Sequence, residues 1–282
     1  MIVVTGASGA LGQMVVQGLL DKVPAQQIVA AVRDPAKAAH LAARGVQVRQ
    51  ADYDDPASLD AALAGAEKVL LVSSNAVGQR LPQHLNVIAA ARRAGVRLLA
   101  YTSILHADRS PLALADEHVA TEAAIRDSGL PYSLLRNGWY FENFNTRIAG
   151  AAQRGEVAGC AGEGRISAAA RADYAAAAVA VLTSDAPLPV YELAGSTSFT
   201  LAELAAETAR QSGRPAIYRD IPQAEYANVL GSVGVPAPWP QLLADADAGT
   251  ARGGLFDDGK ALEKLIGRPT RNLSQAVEAA QK

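Results

Sequence analysis

Cysteine is almost missing from this chain of 282 residues; Cys160 stands alone. A single thiol excludes an internal disulfide framework. With Gly159 and Ala161 beside it and no His or Cys at ligand spacing, it reads as a small packed residue and not as a nucleophile or metal ligand. Aromatic residues make up only 5% of the chain, and no apolar run approaches the roughly 20 residues of a membrane-spanning helix. An excess of either charge is absent too, with 26 Lys and Arg against 28 Asp and Glu. That balance leaves no basic footprint for nucleic acid and no polybasic patch for a membrane surface. The start of the chain lacks a charged leader and a cleavage site, so the expected location is the cytoplasm. Half of the residues are apolar and 19% are charged, the composition of an ordered, Ala-rich globular protein.

The informative stretch is Met1 to Gly12, MIVVTGASGALG. Ile2, Val3 and Val4 form a short, β-branched apolar run suited to a strand buried on both faces. It stops at Gly6, Gly9 and Gly12, spaced G-x-x-G-x-x-G, after which Leu11, Met14, Val15, Gly18 and Leu19 follow with helical spacing. Glycines at a strand-to-helix turn let the backbone approach a pyrophosphate, and the free N–H groups and helix dipole favour its charge. Gly6, Ala7, Ser8, Gly9, Ala10, Leu11 and Gly12 are therefore the expected phosphate contacts. The spacing differs from the commonest dinucleotide fingerprint, and the plainer alternative is a tight turn with no ligand.

Gln27 to Val32 (QIVAAV) reads as a second strand, and the residue just past it is Arg33. In a doubly wound sheet that position meets the adenosine ribose, where an arginine accommodates the 2′-phosphate of NADP, so NADPH is the favoured cofactor; the plainer alternative is a solvated arginine. Asp34 precedes Pro35 and reads as the cap of a helix from Ala36 to Ala43. Val46 to Ala51 is a third strand, ending at Asp52 and Tyr53, which are placed to touch an adenine, while Asp55 suits an N-cap; the alternative is that the whole acid cluster serves the start of the next helix. Lys68 to Val72 is a fourth strand, breaking into Ser73 and Ser74. A helix from Gln83 to Ala94 ends at Gly95, and a fifth strand from Val96 to Thr102 closes on Ser103. Five βα units with short loops argue a Rossmann-type doubly wound parallel sheet, with one elongated dinucleotide lying along the carboxyl ends of its strands.

Further along stands EHVATEAAIRDSGLPYSLLRNGWYFEN. Taken with TGASGALG, it resembles the NmrA-like group of atypical short-chain dehydrogenases, and within that group the bacterial NADPH:quinone oxidoreductases, through VRQADYDD, GQRLPQHLNVI, YTSILHAD and GGLFDDGK. The resemblance runs nearly end to end. It implies an NADPH-binding domain over 1–137, a smaller C-terminal α/β domain over 138–282, and a small-molecule quinone held in the cleft; no metal, nucleic acid or membrane partner is expected, and an oligomer is left open. A rival implication is an NADP-binding redox sensor that controls a partner protein, and a third is a reductase of another planar acceptor.

One departure from the larger dehydrogenase family matters here. The Tyr-x-x-x-Lys pair of that family activates a phenol as general acid or base. If His118 takes the lysine position, Leu114 takes that of the tyrosine. His118 is then either a histidine that caps or bridges the domain seam or one that contacts substrate and donates a proton. Asn137, Gly138, Trp139, Tyr140, Phe141 and Glu142 leave the sixth strand where the nicotinamide is expected. Trp139, Tyr140, Phe141 and Phe144 are four of fourteen aromatics in the chain. They offer either a face to a flat quinone or an apolar seam, with Asn137 and Tyr140 the better contacts because both hydrogen bond.

Beyond this point Gly155, Gly159, Gly162 and Gly164 suggest a loop or hairpin, and RADYAAAAVAVL from Arg171 to Leu182 a helix with a closely packing alanine face. Val190 to Ala194 and Ala216 to Asp220 read as strands, and Thr200 with Glu203 as a capping box. Pro236, Pro238 and Pro240 suggest a stiff loop around Trp239, and Gly253 to Gly259 a turn that helps close the cleft. The boundary near Asn137 is soft, leaving later segments free to return to the first domain.

Overall fold

The computed structural model describes residues 1–282. Short β-branched runs bounded by turns give nine strands: β1 (Ile2–Val4), β2 (Ile28–Val32), β3 (Gln47–Gln50), β4 (Lys68–Leu71), β5 (Leu98–Ile104), β6 (Tyr132–Asn137), β7 (Glu156–Gly159), β8 (Val190–Leu193) and β9 (Ile217–Asp220). Seven of them form one sheet in the order β3-β2-β1-β4-β5-β6-β8. Every pairing from β3 to β6 is parallel, with Val3 opposite both Val29 and Val69. Parallel neighbours require crossovers, and the helices α1 (Ala10–Leu20), α2 (Ala39–Ala42), α3 (Pro56–Leu63), α4 (Arg80–Ala94) and α5 (Ala115–Asp127) supply them. The order reverses at β1, so β1 and β4 flank the switch point of a Rossmann-type sheet, as expected.

Burial explains why the sheet reads as continuous apolar runs. All five residues of β2 and all seven of β5 are buried. Val3, Val29, Val69 and Leu99 pack with Leu59 and Leu63 of α3 and with Val87 and Ala91 of α4. Each fully buried Val or Leu contributes about 1.5–3 kcal/mol relative to exposure.

The remaining helices are α6 (Asn145–Arg154), α7 (Arg171–Thr183), α8 (Leu201–Ser212), α9 (Gln223–Ser232), α10 (Trp239–Ala251), α11 (Ala261–Ile266) and α12 (Leu273–Ala280). Val179 of α7 meets Gly18 of α1, where a Cβ would come within 2.9 Å of Val179 Cγ2. Lys68 Nζ closes the end of α7 by donating to the Leu182 and Ser184 carbonyls at 2.9 and 2.8 Å.

Three local expectations are corrected. The helix expected over 36–43 is a 3₁₀ turn, Pro35–Ala38, followed by the single turn of α2; only Ala38 and Leu41 are buried there, too few apolar positions to hold a longer helix. The glycine-rich stretch from Gly155 is no hairpin, because β7 pairs in parallel with β9 from residues far along the chain. The proline cluster starts a helix instead of stiffening a loop: Pro238 is the N-cap of α10 and Pro240 stands in its first turn, where a missing N–H does no harm.

Residue contacts divide the chain into two units. One holds 1–104, 117–137 and 172–191, and the other holds 105–116, 138–171 and 192–282. The core of the second unit includes Phe199, on which Phe141 stacks with ring centres 5.5 Å apart, and the buried Asp247, which pairs with Arg147 at 2.6 Å.

Candidate functional site

In the first unit, the carboxyl ends of the strands around the switch point open into a hollow of about 420 Å³. Gly6, Ser8 and Gly9 line it on one side. Gly6 adopts φ +58°, the left-handed region that favours glycine, and the Gly9 amide donates to its carbonyl at 2.9 Å. Gly12 is needed for a different reason: a Cβ there would lie 2.5 Å from Gly6 O and 2.8 Å from Ala7 Cα. Ala7, Leu11 and Gly12 are buried behind the loop and shape it rather than line the hollow. Gly9 caps α1 without a side-chain bond, and the first-turn amides of Ala10, Leu11 and Gly12 have no acceptor in the chain. Unpaired N–H groups at the positive end of a helix favour an anion.

Arg33 lines the hollow on the side of β2, and so does Lys37, which sequence reasoning missed. Both are exposed, and neither has a partner in the chain. Asp34, between them, is committed to capping, since it accepts from the Ala36 amide at 3.0 Å. Two unpaired cations spaced by one turn present the donors and charge that a phosphate monoester takes.

Asp52 and Tyr53 form part of the same wall. The Asp52 carboxylate accepts from the Asp54 amide at 3.1 Å. The Tyr53 hydroxyl turns inward, donating to the Val72 carbonyl at 2.8 Å and meeting Thr5 Oγ1, so the side of the ring is what remains for a ligand. Burial raises the pKa of that phenol.

Ser73 and Ser74 also line the hollow and are held from behind. The Ser73 amide donates to Thr102 Oγ1 at 2.8 Å, the Ser74 amide to His84 Nε2 at 2.9 Å, and Arg80 Nε donates to the Ser74 carbonyl at 2.7 Å. Thr121 Oγ1 gives its proton to the Glu117 carbonyl at 2.7 Å, so it accepts from His84 Nδ1 at 2.9 Å. His84 is thereby an acceptor at Nε2 and a donor at Nδ1, an uncharged ring. His118 belongs to the same network, with Nδ1 2.7 Å from the Tyr101 hydroxyl and Nε2 3.4 Å from Arg80 Nη1. Burial lowers the pKa of each histidine to about 3; Arg80 adds to the effect at both, and His84 adds to it at His118. His118 is thus a neutral, enclosed imidazole at physiological pH. Leu114 is buried in the second unit.

Ser103 does not line the hollow; its buried hydroxyl donates to Glu122 Oε1 at 2.6 Å. Glu122 is also gripped by Arg136, at 2.9 and 2.8 Å, and burial opposes its charge while those hydrogen bonds hold its pKa low. Asn137 ends β6, is 6% exposed, and carries the one buried side-chain polar atom without a partner, Oδ1. That atom is an acceptor waiting for a donor.

Gly138 to Glu142 belong to the second unit. Phe141 is core, 3% exposed against Phe199. Glu142 accepts from the Arg171 amide at 3.1 and 3.0 Å, and Tyr140 lies under the Arg171 guanidinium at 5.0 Å. Trp139 is half-buried, with its carbonyl accepting from the Ala169 amide at 3.2 Å. The Phe141 and Glu142 side chains are therefore committed within the protein. No sequence signal distinguishes such committed groups from free ones, whereas Lys37 was readable in principle as a cation four residues past Arg33.

The polar set fits a phosphorylated dinucleotide: a glycine cradle that admits no Cβ at Gly12, unpaired amides for a pyrophosphate, free cations for a further phosphate and an unpaired buried acceptor at the end of β6. No helix is long and apolar enough to cross a membrane. A family profile described as NAD(P)H-binding matches residues 6–185. Quinone oxidoreductase 2 of Escherichia coli (strain K12) is 55% identical over 278 residues, covering 98% of this chain and 97% of that protein. The solved structure of the NADPH-dependent quinone oxidoreductase from Escherichia coli complexed with NADPH superposes with a TM-score of 0.98 at 54% identity, covering 100% of both chains. The triphenylmethane reductase of Citrobacter sp. complexed with NADP(H) gives a TM-score of 0.95 at 38% identity, covering 99% of this chain and 100% of that one. The glycine cradle and the sheet behind it are therefore those of the NAD(P)H-binding, NmrA-like family, to which this chain belongs.

Proposed function

We propose that this protein reduces quinones with NADPH, in the cytoplasm, where its lone thiol stays reduced. The observation that carries the reading is kinship over the whole chain with an enzyme named for quinone reduction, and the hollow in the first unit supplies the matching cofactor chemistry. NADPH, when bound, supplies a hydride. The chain's own residues bind and orient: the glycine-loop amides and the positive end of α1 take the pyrophosphate, and Arg33 and Lys37 take the phosphate on the adenosine ribose. Asn137 Oδ1 accepts a donor from the ligand.

No protein acid is required. A quinone that accepts a hydride becomes a resonance-stabilised hydroquinone anion, which takes its proton from water, so Leu114 in place of a phenol is no obstacle. His118 is a positioning residue: uncharged, it meets Arg80, and Arg80 holds the Ser74 carbonyl at the wall of the hollow. Stopped-flow mixing of the NADPH complex with benzoquinone and naphthoquinone tests the reading. Oxidation faster than the uncatalysed rate, with a primary deuterium isotope effect from one C4 position only, is expected. Tight NADPH binding without such oxidation would transfer the assignment to an NADP-binding redox sensor.

A further inference from the structure

Two motifs find no place in the dinucleotide hollow: YTSILHAD and GGLFDDGK. Their ends meet inside the second unit. There His106, Arg109 and Pro111 on one side and Arg252, Phe256 and Asp257 on the other line a separate hollow of about 370 Å³. The three on the second side lie beyond residue 185, where the NAD(P)H-binding match ends.

The hollow is built around His106, a buried non-glycine residue held at φ +52°. Its amide donates to Glu192 Oε2 at 2.8 Å, and its Nε2 stands 3.2 Å from Asp257 Oδ2. Asp257 is satisfied further by the Gly259 amide at 2.8 Å. Arg109 Nη2 reaches His106 Nδ1 at 3.2 Å, and Arg252 Nη2 donates to the Pro111 carbonyl at 2.9 Å. Each guanidinium is thus tethered by one N–H and keeps its others without a partner in the chain. Asp258, also at the hollow, is the one lining acid left unpaired. Phe256 is 37% exposed, an aromatic ring left in solvent in a chain with few aromatics.

We propose that this hollow binds a small planar acid, a one- or two-ring aromatic bearing one carboxylate or sulfonate. Two tethered guanidiniums with free N–H groups match a planar anion by charge and by paired hydrogen bonds. The Phe256 and Pro111 rings offer the flat body an apolar wall. The volume falls at the small end of the roughly 300–1,000 Å³ typical of ligand pockets, which suits naphthalene-sized molecules and excludes a second dinucleotide. The site stands on residues of the second unit alone and does not depend on the quinone-reductase reading.

Isothermal titration of the full chain with 2-naphthoate and with uncharged naphthalen-2-ylmethanol, each with and without saturating NADPH, tests this. One site is expected, at least tenfold tighter for the acid and undisturbed by NADPH. Combining Arg109→Gln with Arg252→Gln removes the preference for the acid while NADPH affinity stays unchanged, and Phe256→Ala weakens both probes alike. If the double variant loses NADPH binding through misfolding, the two single variants decide, each lowering the acid preference at least threefold. Equal binding of acid and alcohol overturns the proposal, as does an acid preference that survives the substitutions or displacement of naphthoate by NADPH.

Discussion

A guanidinium without a partner of its own is what makes Arg33 informative, because nothing in the fold is lost when it is removed. Arg33→Ala should weaken NADPH relative to NADH by about 1.5–3 kcal/mol, the range of a hydrogen bond to a charged group. Lys37→Ala should act in the same direction but by roughly 1 kcal/mol or less, as befits an exposed point charge. Fluorescence titration with both cofactors measures the difference, and equal losses for NADH and NADPH would contradict the assignment. The place of Arg33 at the hollow was legible because it stands just past the end of β2. Lys37 was not, because the residues after Pro35 suggest a regular helix, whereas they form a 3₁₀ turn from which Lys37 lines the hollow. Ser103 and Glu142 mark the opposite limit. Each stands near or past the carboxyl end of a strand, which suits a ligand contact, but the partner that holds its side chain, Glu122 or the Arg171 amide, is visible only in the fold.

The strand–loop–helix element around the glycines makes a sharper demand. At Gly12 a methyl group meets backbone on both sides, Gly6 O and Ala7 Cα, and backbone cannot rotate away as a side-chain tip does. Gly12→Ala should therefore distort the loop, lowering stability by about 1–3 kcal/mol and NADPH affinity by about tenfold or more. Gly231 in α9 is the control, because a Cβ there meets nothing within 4 Å. Gly231→Ala should leave NADPH affinity unchanged and stabilise α9 by about 0.5–1 kcal/mol. Calorimetric unfolding and cofactor titration of the pair separate the two effects. Elements whose signals are local were readable: the run of β-strands, the Asp34 and Asp55 caps, and the Thr200–Glu203 capping box all form as their residues suggest. The β7–β9 pair was not, because Glu156 finds Ile217 only through a long closure that no local pattern announces.

For the molecule as a whole, the two enclosed histidines of the first unit tie stability to pH. His84 and His118 each hold a pKa of about 3 in the fold, chiefly through burial, with Arg80 adding to it, against about 6.5 when exposed. Between those limits the unfolded chain binds protons that the folded chain refuses, so stability falls as pH drops below 6.5 and continues to fall towards 3. Each group contributes up to about 1.4 kcal/mol per pH unit in that window, less where the two protonate as a coupled pair. Glu207, held at about 2 by Arg210, works in the same sense but only once pH falls below the ordinary carboxylate range, and the exposure of Arg210 lets solvent screen the pair. The expected result is a urea midpoint that falls between pH 7 and pH 5. His118→Gln removes one of the two proton sites, so its midpoint should fall less over the same interval. Because the folded His84 stays neutral down to about pH 3, its Nε2 keeps accepting from the Ser74 amide, and this contact should hold NADPH affinity unchanged between pH 7 and pH 5. A midpoint unchanged from pH 7 to pH 5, or one equally steep in His118→Gln, would show that these imidazoles are not held neutral by the fold.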